Sequence, residues 1–463
     1  MRRVEVKPRP NAGRIVQSQG LVYALQNAPN QHDYCYWPDD RYYSFTSEEI
    51  ELLKTATKDV LDMCCEAADY LINHPDILTN KMSIPSWAVE HIRESWTRKP
   101  QWGSVYGRFD ACFGGLDHPD PKLRVPKFYE FNADTPTTLV EASAIQWRWL
   151  EQTGHGNDQW NNLTEDLIKA WRRNLTVIEE KIGHRPTVYF GFETGDYNGE
   201  DMMNTAAMMD TCRLAGWPVK TLFMEQIALS PEDGRFYDAE GEHIDVIFKL
   251  YPWEWMTEQE FGKPCFEDMK NIGLRDEAGN YIGGTIWVEA PYKMLWSNKA
   301  IFAILWSLFK DDPRSKWLLE TYMEGEQPAT FTTYARKAIY SREGGNITLR
   351  EDGNVIGEGE DLEYGSEGFT LQELAVPPKF EDDQGVGHYA VLGLWVVDGH
   401  PSTMGMREDV NPITADGSIF VPHAISDGPV CYERKSVPTK AEVDAILGPE
   451  APRRIENGNL VRN

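Results

Sequence analysis

The sequence predicts a mixed α/β protein made of more than one unit, and three patterns carry that prediction. Residues 46 to 74 repeat apolar side chains at helical spacing (Ile50, Leu53, Val60, Cys64, Ala67, Leu71) behind Thr46-Ser47-Glu48-Glu49, which has the form of a capping box. Two short alternating runs, Val105 to Phe113 and Lys127 to Ala133, flank a loop rich in Gly, Pro and Asp and read as adjacent antiparallel strands. From 187 onward, strand-like runs at 187–192, 219–223 and 245–250 alternate with a helix-like stretch at 200–215, the order of a small α/β unit with parallel strands.

Taken in order, an irregular, aromatic opening leads into the long helix, which stops at Pro75. The strand pair is followed by helical patterns at roughly 138–153 and 163–182, the second ending near Gly183 and Pro186. A further region begins near 291 with a helix around Lys299 to Phe309 and continues through strands, turns and charged loops to about 425. Within it, Tyr389 to Val397 is continuously apolar, but about half the length of a membrane span, and reads as a buried strand. After 436 one short helix is expected, then a fraying tail.

Composition narrows the functional classes. The chain has 463 residues, 41% hydrophobic and 26% charged, the balance of a soluble globular protein. Asp and Glu number 73 against 46 Lys and Arg, a formal charge of −27 that argues against a nucleic-acid partner, since such affinity rests on neutralising phosphates. An acidic surface favours cationic small molecules such as polyamines, although acidity is also an ordinary route to solubility. Seven cysteines, an odd number without a CxxC, argue against a disulfide frame or a structural zinc site. Neither a secretory leader nor a membrane span is evident, so the expected compartment is the reducing cytoplasm, with small-molecule substrates and no membrane partner.

Two clusters could carry chemistry. By strand alternation, Arg108 and Asp110 share one face while Phe109, Ala111 and Phe113 share the other. Likewise Glu130 and Asn132 lie opposite Tyr129, Phe131 and Ala133. Oxygen ligands grouped in this way suit a hard divalent cation shared with phosphates, and equally an ordinary solvated sheet face. Farther along, Lys299 stands at a helix start. Lys337 ends the strand-like run of Phe331 to Arg336 and precedes Ser341-Arg342-Glu343-Gly344-Gly345-Asn346, a glycine turn able to approach phosphates or simply to close a hairpin. A carbohydrate-active enzyme, using some carboxylate pair beside a few of the 16 tryptophans, is conceivable without any pair being singled out.

Arg108-Phe109-Asp110, then Phe128 to Asp134, then Glu141-Ala142, resemble the synthetase domain of the glutathionylspermidine synthase family. The resemblance continues in order through Ser297-Asn298-Lys299-Ala300, Lys337, Arg342 to Asn346, Leu371-Gln372-Glu373-Leu374 and Gly405-Met406-Arg407, spanning about 35 to 425. It implies an ATP-grasp fold in permuted order with a small pre-ATP-grasp-like subdomain. The expected division is 1–183, holding helices and the metal-binding strand pair, 184–290, the substrate subdomain, 291–436, the nucleotide-binding region, and 437–463, the tail. The resemblance further implies ATP and Mg²⁺ as cofactors, with Asp110, Glu130 and Asn132 as metal ligands. Lys299, Lys337, Arg342, Gly344, Gly345, Asn346, Gln372 and Glu373 would bind the nucleotide, while Arg108 and Arg407 would face the reacting carboxylate and phosphoryl group.

The implied activity is ATP-dependent amide formation between a carboxylate and an amine through an acyl phosphate. The alternative is a retired ATP-grasp domain that binds nucleotide or a partner without turnover. Bifunctional members of the family carry an amidase domain before the synthetase. Here only a short aromatic stretch precedes it, and no hydrolase half is expected. Thr135 and Thr137 stand, around Pro136, where glutathione-binding members have serines, and Ala338 follows Lys337 where proline is usual. Glu200 and Asp201 match an acidic pair on the amine side, whereas Leu250 to Trp253 departs from its counterpart. Glutathione with spermidine is one candidate pair, and another carboxylate with another amine is as compatible.

Overall fold

Alternation along the first strand pair fixes the geometry around which the rest is arranged. A computed structural model describes residues 1–24, 36–98, 104–196, 198–415 and 417–449, with backbone strands at Arg454–Glu456 and Asn459–Val461. Strands Tyr106–Cys112 and Lys127–Asn132 pair antiparallel, placing Asp110 opposite Glu130 and Arg108 opposite Asn132. On the inner face Phe109 stacks on Phe131 with ring centroids 3.8 Å apart, and both are buried in the core. The register slips between Asp110 and Ala111, which pairs with Phe128. That bulge corrects the simple alternation: Phe128 enters the core and Tyr129 joins the polar face, because the extra residue reverses the side-chain sequence beyond it.

The pair belongs to a six-stranded sheet in which Gly387–Val397 lies beside Tyr106–Cys112, followed by His400–Asp409 and Ile419–Phe420, with Lys379–Glu381 pairing on one end. The sheet thus unites strands from both ends of the chain. The apolar 389–397 run is a buried strand, as its composition predicts. A five-stranded antiparallel sheet is formed by Thr321–Met323, Phe369–Glu373, Tyr334–Ala338, Thr348–Glu351 and Asn354–Glu358. Its central strand, Tyr334–Ala338, carries Lys337 one residue before its end, close to where the sequence places it.

The subdomain is a four-stranded parallel sheet, ordered Ile286–Val288, Val246–Lys249, Val188–Phe192 and Val219–Phe223, with helices Leu163–Ile182 and Glu200–Ala215 associated with it. Helix Ser47–Leu71 carries the expected capping box, in which the Glu49 N–H donates to Thr46 Oγ1 and Glu49 Oε2 accepts from the Thr46 N–H. The helical pattern at 138–153 resolves into a π-helical turn, Glu141–Ile145, followed by helix Gln146–Thr153.

The opening is not irregular where it is described. Arg2–Glu5 pairs with Arg41–Phe45, which in turn pairs with His423–Ile425, and Ala12–Ser18 is helical. Arg3, Arg41 and Tyr43 converge on buried Glu408, fastening this segment to the six-stranded sheet. Glu408 lies 365 or more positions from these three residues, and even Arg2–Glu5 and Arg41–Phe45 pair across about 40, which is why local pattern alone does not reveal the strands. Residues 25–35 of the aromatic stretch lie outside the described residues. Helix Lys440–Leu447 is the expected C-terminal helix and packs on Ala12–Ser18. Among the described residues, no helix is long and apolar enough to cross a membrane.

Candidate active site

Both antiparallel sheets and the parallel subdomain contribute to one cleft, open to solvent, with a cavity volume of about 330 Å³. It gathers Arg108, Asp110, Glu130, Asn132, Thr135, Thr137, Glu200, Asp201, Lys299, Lys337, Arg342, Gly344, Gln372, Glu373 and Arg407, residues separated by up to three hundred positions in the chain. Of the site residues expected from the sequence, Gly345 and Asn346 do not line it.

Opposite charges alternate on the deepest wall. Arg108 grips Asp110 in a bidentate pair, Nε to Oδ1 at 2.7 Å and Nη2 to Oδ2 at 3.2 Å, and donates through Nη1 to the Thr137 carbonyl at 2.7 Å. Room for that guanidinium comes from Gly393 on the neighbouring strand, where a Cβ would sit 2.9 Å from Arg108 Cδ. Lys299 Nζ lies 3.0 Å from Glu130 and donates to the Ser341 carbonyl at 2.7 Å. Lys299 stands at the N-terminus of helix Ala300–Phe309, and Asn298 beside it accepts the Ala300 N–H and donates to the Met82 carbonyl. Lys337 Nζ donates to Gln372 Oε1 at 2.6 Å and stands 5.0 Å from the centre of the Tyr129 ring.

This electrostatic packing shifts protons. Burial would raise the Glu130 carboxyl, but the Lys299 and Lys337 ammonium groups and a hydrogen bond from Asn132 hold it down at about 2. Burial lowers the Lys337 ammonium to about 8, with Glu130 opposing the shift and Lys299 adding to it. Two carboxylates and an amide on adjacent strands are hard oxygen donors, a set that fits Mg²⁺ beside phosphates. Among the described residues no three His, Cys, Asp or Glu side chains form a metal cluster by themselves, so such an ion would need Asn132, phosphate or water to complete its shell.

The turn after Lys337 crosses the cleft. Glu343, Gly344 and Asn346 have φ of 53°, 71° and 54°, and the Gly345 N–H closes onto the Arg342 carbonyl at 2.8 Å. A Cβ on Gly344 would lie 2.7 Å from the Thr414 carbonyl oxygen, so only glycine permits this close passage. Asn346 turns away from the cleft: its side chain donates to Asp361 at 2.6 Å and accepts the N–H groups of Leu362 and Tyr364, stitching the turn to 361–364. Beyond Gln372 and Glu373, residues Leu374 to Pro377 continue the lining, and the Ala375 carbonyl accepts the Tyr129 hydroxyl at 2.6 Å.

On the subdomain side, Glu200 and Asp201 begin helix Glu200–Ala215, and Glu193, Tyr251, Pro252 and Trp255 complete the wall. Burial, reinforced by Asp196, lifts the Asp201 carboxyl to about 6 despite the Arg342 charge. A contact absent from the sequence reading secures this side. Lys249 Nζ donates to both Asp134 oxygens at 2.9 and 3.0 Å and to the Tyr251 carbonyl, and Asp134 also accepts the Trp253 N–H. With side chains 0% and 2% exposed, this pair ties the end of the metal-side strand to the 250–255 segment. Removing one partner would cost about 3–5 kcal/mol. Asp134 did sit inside the quoted Phe128 to Asp134 motif, but its lysine lies 115 residues away.

The glutathionylspermidine synthase preATP-grasp family model matches residues 3–426 of this chain. The chain belongs to the glutathionylspermidine synthase family. Among its relatives, the Haemophilus influenzae protein named "Putative acid–amine ligase" is 31% identical over 432 residues, 91% of this chain and 99% of the relative. Trypanothione synthetase of Crithidia fasciculata is 26% identical, covering 78% of this chain and 52% of that one. The bifunctional glutathionylspermidine synthetase/amidase of Escherichia coli is 27% identical, covering 88% and 60%. This chain therefore spans only about half to three-fifths of the latter two. That family is one of ATP-dependent acid–amine ligases, and the fold of this chain is mixed α/β.

Proposed function

We propose that the cleft joins a carboxylate to an amine at the expense of ATP, releasing ADP and phosphate. The observation that most supports this reading is the meeting of Asp110, Glu130 and Asn132 with Lys299, Lys337 and Arg108 in one cleft, each acid already facing a base. Lys299 and Lys337 hold the phosphates, while Gln372, Glu373 and the 374–377 segment receive the adenine. Asp110, Glu130 and Asn132 would hold Mg²⁺, which when bound neutralises charge on the phosphate oxygens.

A carboxylate oxygen of the first substrate attacks the γ-phosphorus as the bond to ADP breaks. The amine nitrogen then attacks the acyl carbon, the carbon–oxygen bond to phosphate breaks, and the nitrogen loses its proton. Arg108 and Arg407 stabilise the reacting carboxylate and transferred phosphoryl group by charge, the contribution that preorganised cations make to such transfers. Thr135 and Thr137 line the carboxylate side, and Glu200 with Asp201 the amine side. Glutathione and spermidine are the first pair to test. A cytoplasmic setting accords with the free Cys64, Cys65, Cys112, Cys212, Cys265 and Cys431.

The test is ADP release with Mg·ATP across a panel of carboxylates, including glutathione and short peptides, each with and without spermidine or other amines. Release requiring both substrates supports the ligase. Tight Mg·ATP binding with no release for any pair contradicts it.

A further inference from the structure

The turn that carries Arg342 is already closed, and its arginine is already occupied. Arg342 Nη2 donates to Glu254 Oε1 at 2.8 Å, Nη1 to Thr135 Oγ1 at 3.2 Å, and the guanidinium carbon stands 5.3 Å from the centre of the Trp255 ring. The Glu254 side chain is 17% exposed, and the Arg342 side chain 35%. The base of this contact is rigid. Trp253, the residue before Glu254, is fixed by its N–H to Asp134, by its indole N–H to the Glu289 carbonyl, and by Lys249 above its ring at 4.4 Å. From the other side Gly344 packs against Ile413 and Thr414.

The ion pairs deeper in the cleft differ in one respect. A magnesium–phosphate ligand carries both signs, so it can take Asp110 and Glu130 through the metal while giving phosphate oxygens to Arg108, Lys299 and Lys337. Arg342 has no such exchange, because its acid, Glu254, lies on the subdomain side and outside the Asp110, Glu130 and Asn132 set that would take the metal. A ligand anion can gain Arg342 only by displacing Glu254.

We propose that Glu254, supported by Trp255, is an internal anion that latches the Arg342 turn in the ligand-free protein and competes with nucleotide phosphate for that arginine. Glu254 is thus a positioning residue acting through Arg342. The inference deepens the ligase reading and rests on it only where nucleotide is concerned. Neutralising Glu254 removes the competitor, so affinity for the anionic ligand increases. A purely structural contact would weaken binding when lost, or leave it unchanged.

Two measurements test the latch. In ligand-free protein, a glutamate-specific protease cutting after Glu343 reports opening of the turn. E254Q and R342M are each expected to be cut about fivefold faster than wild type, and the double variant no faster than either single one, because both remove the same contact. Equal rates for wild type and E254Q, or additive acceleration in the double variant, overturn the latch. Isothermal titration with Mg²⁺ and the non-hydrolysable analogue AMP-PNP is the second. E254Q is expected to bind about three- to tenfold more tightly than wild type, and unchanged or weaker binding overturns the competition. W255L, which keeps the carboxylate, is expected to fall between wild type and E254Q in cleavage rate. A rate equal to wild type removes Trp255 from the latch. Failure of both wild type and E254Q to bind the analogue contradicts the ligase reading, while the cleavage arm still decides the latch.

Discussion

The two sides of the cleft use charge in opposite ways. On the nucleotide side, acids and bases alternate and satisfy one another: Arg108 with Asp110, and Lys299 with Glu130. All four groups are on or beside regular elements whose register fixes them. On the subdomain side, Glu193, Glu200 and Asp201 line the wall, and the facing cation, Arg342, precedes a turn and is bound to Glu254 in the short helix Trp253–Glu258. The first arrangement suits a ligand that brings both signs of charge, and the second leaves a surplus of acid suited to a cation. On the proposed function, recognition of nucleotide and of amine should therefore separate on substitution.

The largest effect is expected on the nucleotide side. Asp110→Asn should reduce turnover by about 10²–10³-fold, because it removes charge from the metal set and from the hold on Arg108. The melting temperature should stay within a few degrees of wild type. Early melting, or retained activity, would break the claim that this wall is chemical rather than structural. Gly393→Ala comes next. Its Cβ must displace Arg108 without altering any ionisable group, so a loss of roughly tenfold in kcat, with Mg·ATP affinity little changed, would show that the orientation of Arg108 matters as well as its charge.

The glycine also illustrates what the sequence could and could not reveal. The polar and aromatic faces of 105–113, the capping box at Thr46 and the parallel subdomain follow from local periodicity and are present in the structure. Most of the cleft residues were legible because separated motifs occur in family order. Tyr129 was assigned to the wrong face because a bulge depends on the partner strand, not on its own sequence. Gly393, Lys249 and Glu254 were missed for a related reason: each acts on a residue 88 or more positions distant, and none has a distinctive neighbour in sequence. Asn346, by contrast, carried a motif position yet serves the turn itself.

Two pH effects of smaller size sharpen the comparison. Burial brings the Lys337 ammonium down to about 8, below the usual lysine value, and on the proposed function it is the charged form that would hold phosphate. Mg·ATP affinity should therefore be flat below pH 8 and fall as pH rises above it. Binding at pH 8.5 should take up protons, measurable by titration calorimetry in buffers of different ionisation enthalpy, and no proton uptake would contradict the assignment. Asp201 works in the other direction. Its carboxyl is neutral below about pH 6 and charged above, so the KM for a cationic amine should fall several-fold as pH rises through 6. Asp201→Asn should flatten that profile while leaving the KM for ATP unchanged, and a shift in both would mean that the two sides are not separable.

The most direct test of the central claim uses the carboxylate selected by the ADP-release screen, labelled with ¹⁸O in its carboxyl group. Attack on ATP followed by capture with the amine transfers one labelled oxygen from the carboxylate to the released phosphate. Phosphate carrying one ¹⁸O per amide formed is the predicted result, and unlabelled phosphate formed alongside the amide would contradict the acyl-phosphate route.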